Sequence, residues 1–257
     1  MAYVDLETKK LVDGLCVMMQ PLYEVIANLK PFDIDLSMFA GASPQVVEKL
    51  ITQFDQFATA EDAAQVNEFK RDPYRGKPYG TIYAGFLDKS NALSRRGDAA
   101  SLYESELLLE RALWYFLSIC DANRLSMTET IIDTLIKLGE VVEQLEDYEK
   151  AMDIFVCAQM FYMQREWMER ESYCGKTSNW LVGVIIDNAA RINRIARHQR
   201  NLPMTVALLK AVGLVTQGLK TVCPSTAHGA ERFLSSSYPV NWRRSPRTLT
   251  SRGSKRK

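Results

Sequence analysis

The chain has 257 residues, 47% hydrophobic and 25% charged, and a net charge of +1. These values describe a folded protein of roughly one or two domains with a well-buried core, and they exclude wholesale disorder. No apolar run approaches the roughly 18 residues that a membrane-spanning helix needs.

Only 13 Gly and 9 Pro punctuate the sequence, and alternating strand patterns are few, so an all-α fold is expected. The cysteines, Cys16, Cys120, Cys157, Cys174 and Cys223, are odd in number and no two lie closer than 17 positions. That spacing suggests neither a disulfide framework nor a CxxC site. With His198 and His228 the only histidines, a zinc site or histidine triad has little to be built from. No catalytic, cofactor-binding or metal-ligating set is expected, and the chain reads as a non-enzyme. The opening MAYVDLETKKLVDG carries acidic residues and no signal-peptide n-region, which gives the expectation of an intracellular, cytoplasmic protein.

Residues 1–70 read as an N-terminal helical segment. Leu11, Leu15, Met18, Met19, Leu22, Tyr23, Val25 and Ile26 give a helix over about residues 6–29, packed on two sides, which Pro21 kinks and Lys30-Pro31 ends. After a connection over 32–42, Ser43-Pro44 supplies a cap and a first-position proline. Val46, Val47, Leu50, Ile51 and Phe54 then line one face to about Phe57. Thr59 and Asp62 bracket a cap for a further short helix through about Phe69.

Residues 71–80 are the clearest break. Lys70, Arg71, Arg75 and Lys77, with Tyr74 and Tyr79 and two Pro-Gly pairs' worth of helix breakers, give a solvated loop, or alternatively a phosphate or RNA contact. Gly76-Lys77 is not a P-loop, because the upstream glycine and the following Ser or Thr are missing.

Residues 81–222 form the main helical region. A helix over 81–94 uses Ile82, Phe86 and Leu87 and is broken by Arg95-Arg96-Gly97-Asp98. The next, 99–122, carries Leu102, Leu107, Leu108, Leu109, Ala112, Leu113, Tyr115, Phe116 and Ile119 and should be deeply packed. Ser126 and Glu129 make a capping box. From Ile131, Leu135, Leu138, Val142 and Leu145 share one face of a helix whose polar side is Asp133, Lys137, Glu140 and Glu143. After Glu146-Asp147 a second stripe, Ala151, Ile154, Phe155, Ala158 and Phe161, predicts an antiparallel partner reaching about Ser172. Gly139 and Ala151 would let the two backbones approach closely.

Leu135-x2-Leu138-Gly139-x2-Val142, followed by Asp147-Tyr148-Glu149-Lys150-Ala151-x3-Phe155-x2-Ala158, resembles one tetratricopeptide (TPR) repeat, the helix-turn-helix unit of about 34 residues. Leu135, Val142 and Met163 depart from that pattern, which prefers Trp, Tyr and Pro there. Ala112-x3-Phe116-x2-Ile119 echoes the second-helix spacing as a half-copy. A further pair is expected from Trp180 to Gln199 and from Pro203 to Leu219, with Val206, Leu209, Leu214 and Leu219 apolar. Gly175-Lys176-Thr177 is not a Walker loop, since Arg170 stands where a glycine is needed.

Residues 223–257 differ in character. From His228 onward eight Arg and Lys face one acid, Glu231, and Ser and Pro are frequent, so a flexible basic tail is expected. Arg243, Arg244, Arg247, Lys255, Arg256 and Lys257 leave open a nuclear address, an RNA-binding arm, a phosphorylation-controlled contact or a merely solvated tail.

The resemblance implies stacked hairpins, a TPR-like α-solenoid or right-handed superhelix, whose first helices line a groove for a partner peptide or helix. On the matched unit those positions are Asp133, Ile136, Glu140, Glu143 and Gln144, which would suit a basic, amphipathic ligand. The leading expectation is an adaptor or scaffold subunit, with self-association left open. The alternative is a nucleocapsid-like nucleic-acid binder using the basic loop and tail, against which stands a mildly acidic body.

Overall fold

The structure, a computed structural model, describes residues 20–26, 28–33, 44–72, 79–119, 128–172, 178–222 and 231. Every regular element among these is helical: α1 (residues 20–26), α2 (Pro44–Phe54), α3 (Ala60–Arg71), α4 (Tyr79–Ser94), α5 (Ala99–Ile119), α6 (Thr128–Gln144), α7 (Tyr148–Ser172), α8 (Ser178–His198) and α9 (Leu202–Val222). Short 3₁₀ turns lie at Pro31–Asp33 and Asp55–Phe57. The expected all-α class is what the chain adopts.

Three corners, α4–α5, α6–α7 and α8–α9, are built alike. One residue is left-handed at each: Gly97 (φ 70°), Glu146 (φ 62°) and Arg200 (φ 56°). In the latter two the next amide reaches back to the preceding helix, Asp147 N to Val142 O at 3.2 Å and Asn201 N to Ala196 O at 2.8 Å. This satisfies carbonyls that a helix end leaves unpaired. The following side chain then caps the new helix: Asp98 accepts from Ser101 N (2.9 Å), Asp147 from Lys150 N (3.1 Å) and Asn201 from Met204 N (3.2 Å). The first corner uses the glycine that this conformation favours, while the other two bear the left-handed cost of a side chain.

From α4 to α9 each helix packs on the next, and α5 additionally receives α2, α3 and the 55–57 turn. Leu109, Leu113, Tyr115 and Phe116 of α5 are buried there. The expected stripes of the central hairpin are the buried ones: Leu135, Leu138 and Val142 of α6 meet Ala151, Ile154, Phe155, Ala158 and Phe161 of α7 in the core. A methyl group at Gly139 would lie 2.6 Å from Phe155 Cε1, so the absence of a side chain sets how near the two helices stand.

The N-terminal elements are tied in by polar contacts. Thr59 and Asp62 form the expected capping box, and the buried Asp62 carboxylate also takes two bonds from Arg111 of α5, each 3.0 Å. Trp114 Nε1 donates to Asp55 at 3.2 Å. Phe32 N donates to Asp153 of α7 at 3.1 Å while its ring meets Phe54 edge-on.

Several expectations shift. Helix α2 passes into a 3₁₀ turn after Phe54 rather than continuing to Phe57. Helix α4 begins at Tyr79, inside the expected loop. Leu107 is 45% exposed rather than deeply packed, because the core-facing side of α5 runs through Leu102, Leu109 and Leu113. In α9 the inward face is Leu208, Ala211, Val212 and Val215, whereas Val206 and Leu214 look outward. The half-copy is out of register: counted from the caps Asp98 and Asp147, Leu102, not Ala112, corresponds to Ala151. Expectations for residues 6–19, 34–43 and 73–78, for the Ser126 cap and for Gly175-Lys176-Thr177 fall outside the described residues.

Replacing Gly139 by alanine should destabilise the protein by about 1–2 kcal/mol in urea titrations, despite alanine's better helix propensity, because the added methyl overlaps the Phe155 ring. Combining it with Phe155→Leu should cost less than the sum of the two single changes; strict additivity would disprove the contact.

Candidate docking surface

Glu140 and Glu143, two of the positions assigned to a partner, form ion pairs with another helix of the chain. On α6, Glu140 and Glu143 lie one helical turn apart, and on α8 Arg191 and Arg194 have the same spacing, so the two pairs register across the helices. Arg191 Nη2 lies 3.2 Å from Glu140, and Arg194 holds both oxygens of Glu143, the second at 2.6 Å. The Glu143 contact lifts the Arg194 guanidinium further above its ordinary pKa, against the opposing effect of burial. Lys137 adds a contact of 3.7 Å to Glu140.

The other three positions border this ladder. Asp133 is exposed, Ile136 is half-buried and packs against the core, and Gln144 is exposed with its amide donating to Glu140 O at 3.2 Å. The face therefore presents alternating charge around one aliphatic contact, not a run of open carboxylates. Sequence reasoning found the acids but missed Arg191 and Arg194; the matching three-residue spacing was the available signal.

A second set of charges joins α5 to α7 and was also missed. Lys150 Nζ lies 2.6 Å from Glu110 and also binds Glu106, with the Phe57 ring 5.9 Å away. Burial works against the ammonium, but its two carboxylate bonds prevail and raise its pKa. Burial pushes the Glu110 carboxyl up, and Lys150 offsets this only in part. One cation between two acids leaves a net negative charge in a half-buried place, which is why the two groups shift upward together.

At the α7–α8 boundary Asn188 donates to Phe155 O and to Gln159, each at 2.8 Å, with both amide side chains fully buried. Tyr148 stacks on His198 at 4.7 Å, close to the Gln199 amide that donates to Tyr148 O.

Of the basic positions, Lys70 and Arg71 are exposed in the last turn of α3, where positive charge complements the helix dipole. Arg75, Lys77, Arg243, Arg244, Arg247, Lys255, Arg256 and Lys257 lie outside the described residues. Among the described residues no group of three or more His, Cys, Asp or Glu is placed to hold a metal ion, and no helix is long and apolar enough to cross a membrane.

The Lys150 cluster makes a signed prediction. Lys150→Met leaves Glu106 and Glu110 uncompensated and should cost about 2–4 kcal/mol at pH 7. Because the folded-state pKa of Glu110 is already raised above 4.5, its protonation as pH falls toward that value should shrink the deficit. Denaturant titrations across this range test it; a deficit that grows on acidification would refute the assignment.

No protein-family model, no curated protein and no solved structure matches this chain.

Proposed function

We propose that the chain is a non-enzymatic adaptor or scaffold subunit whose hairpins stack as a TPR-like solenoid and dock a partner peptide or helix. The observation that carries this reading is the repetition of one corner geometry three times along helices that pack in sequence. A chain of similar pairs buries what no pair buries alone and leaves an extended side for a ligand. The first helices α6 and α8 supply that side, around Asp133, Ile136, Lys137 and Gln144.

The ladder refines the chemistry of the ligand. Glu140 and Glu143 are neutralised by Arg191 and Arg194, so a purely basic helix would gain little from them. A partner carrying both signs of charge around an apolar residue fits better, with the apolar contact giving affinity and the charges giving orientation.

Asp133→Lys and Lys137→Glu together should shift the melting temperature by only a few degrees, about what surface contacts such as Lys137–Glu140 contribute, since both residues are exposed. Affinity purification should recover a stoichiometric protein with the wild-type chain and lose it at least tenfold with this variant. Equal recovery would reject the surface. Salt-sensitive RNA or DNA binding that disappears with residues 228–257 would instead favour the nucleic-acid alternative.

A further inference from the structure

Among the residues whose side chains are described, large apolar groups stand exposed on two helices only: Tyr103 and Leu107 on α5, and Leu202, Val206 and Leu214 on α9. Tyr103 is 61% and Leu214 55% exposed. On each helix they recur at turn spacing and so form a stripe along one face. Single exposed apolar residues are ordinary, whereas a contiguous stripe marks a contact surface.

The two stripes occupy equivalent places in their hairpins. Counted from the caps Asp98 and Asn201, Tyr103 corresponds to Val206 and Leu107 to Lys210; on α7, counted from Asp147, the same positions are Met152 and Val156. Met152 and Val156 are buried, and so is Met160, the counterpart of Leu214. The outward stripe of a second helix is thus a packing surface in this fold, covered on α7 and left open on α5 and α9. Helix α3 and the 55–57 turn bond α5 at Arg111 and Trp114, past the end of its stripe.

The two open stripes carry opposite charge. Between Ala99 and Glu110, α5 has Glu104, Glu106 and Glu110 and no Lys or Arg, while α9 has Lys210 and Lys220 and no acid. Lys150 holds Glu106 and Glu110. Glu104 stands exposed beside Tyr103 and Leu107, and Lys210 stands exposed between Val206 and Leu214. Each stripe is therefore apolar side chains around one charge, negative on α5 and positive on α9.

Set antiparallel, the stripes match. With Glu104 opposite Lys210, Leu107 falls beside Val206 and Ala100 beside Leu214. Tyr103, whose side chain leans toward the start of its own helix, then meets Gly213, which has nothing within 4 Å of where a side chain would begin and so has room for a ring.

We propose that the chain associates with a second copy of itself, the outward stripe of α5 on one molecule docking on that of α9 on the other, with Glu104 paired to Lys210. The apolar residues supply the affinity, and the charge pair fixes direction and register. Because the two stripes are different surfaces, the contact closes as a two-fold dimer where two copies exchange both at once, and otherwise extends into longer chains. One helix against another is a small interface, so association is weak and concentration-dependent.

Sedimentation of the full-length protein from micromolar to millimolar concentration tests it. The average mass of wild type should rise above that of one chain. Glu104→Lys and Lys210→Glu should each weaken association roughly tenfold or more, because like charges then meet across the contact. An equimolar mixture of these two variants should associate as wild type does, a recovery that misfolded chains could not give. Leu214→Ser should weaken association as well. Wild type that stays monomeric at the highest concentration would overturn the proposal and leave the α9 stripe to a partner of another kind. A mixture that fails to recover would overturn it too. So would association that Leu214→Ser weakens and Glu104→Lys does not, which would assign the face to a contact between two α9 helices.

Discussion

Phe155 holds three helices in relation to one another. Its ring occupies the space that Gly139 leaves open on α6, while its carbonyl accepts from Asn188 of α8 at 2.8 Å. Ring and carbonyl belong to one residue, so the α6–α7 separation and the α7–α8 position cannot vary independently. Interiors pack at the density of organic crystals, so a shift of a few tenths of an ångström at this ring is felt on both sides. The buried Asn188–Gln159 bond adds direction, since it forms in one register and is lost in others, although Asn188 Oδ1 and Gln159 Nε2 are buried without a hydrogen-bond partner.

Once that spacing is fixed, charges on the outside fall into line. Successive hairpins are joined twice by ions, second helix to second helix through Lys150 with Glu106 and Glu110, and first helix to first helix through Arg191 and Arg194 with Glu140 and Glu143. The two junctions differ in character. Glu110 is 3% exposed at its side chain, whereas Arg194 is 49% exposed; the first junction is sensitive to loss of a partner, and the second is screened by salt and contributes mainly alignment. The same α6 face that was expected to greet a basic ligand thus meets a basic helix from its own chain.

The N-terminal helices close the arrangement around α5. Asp62 shows how one carboxylate serves two purposes: it completes the cap of α3 and receives the Arg111 guanidinium. Burial alone would raise its pKa, yet the bonds from Arg111 and Thr59 outweigh this and hold it below the ordinary value of 3.8. Its contribution is therefore present above that value and fades as pH falls through the depressed folded-state pKa.

The sequence by itself determined the helices and the inner faces of the central pair. Leu135, Leu138, Val142, Ala151, Phe155 and Ala158 announce their buried side by spacing, Thr59 and Asp62 announce a helix start, and Gly97 announces a corner, because each of these is a local backbone or periodicity effect. The corners at Glu146 and Arg200 carry no glycine and were legible only as polar breaks. Which face of α9 turns inward was decided by tertiary structure, since both its faces are apolar and periodicity cannot choose between them. The pairing of Glu140 and Glu143 with Arg191 and Arg194 was decided there too: about fifty residues of intervening chain separate the partners, and an ion pair between distant segments depends on where packing brings them, not on where they stand in the sequence.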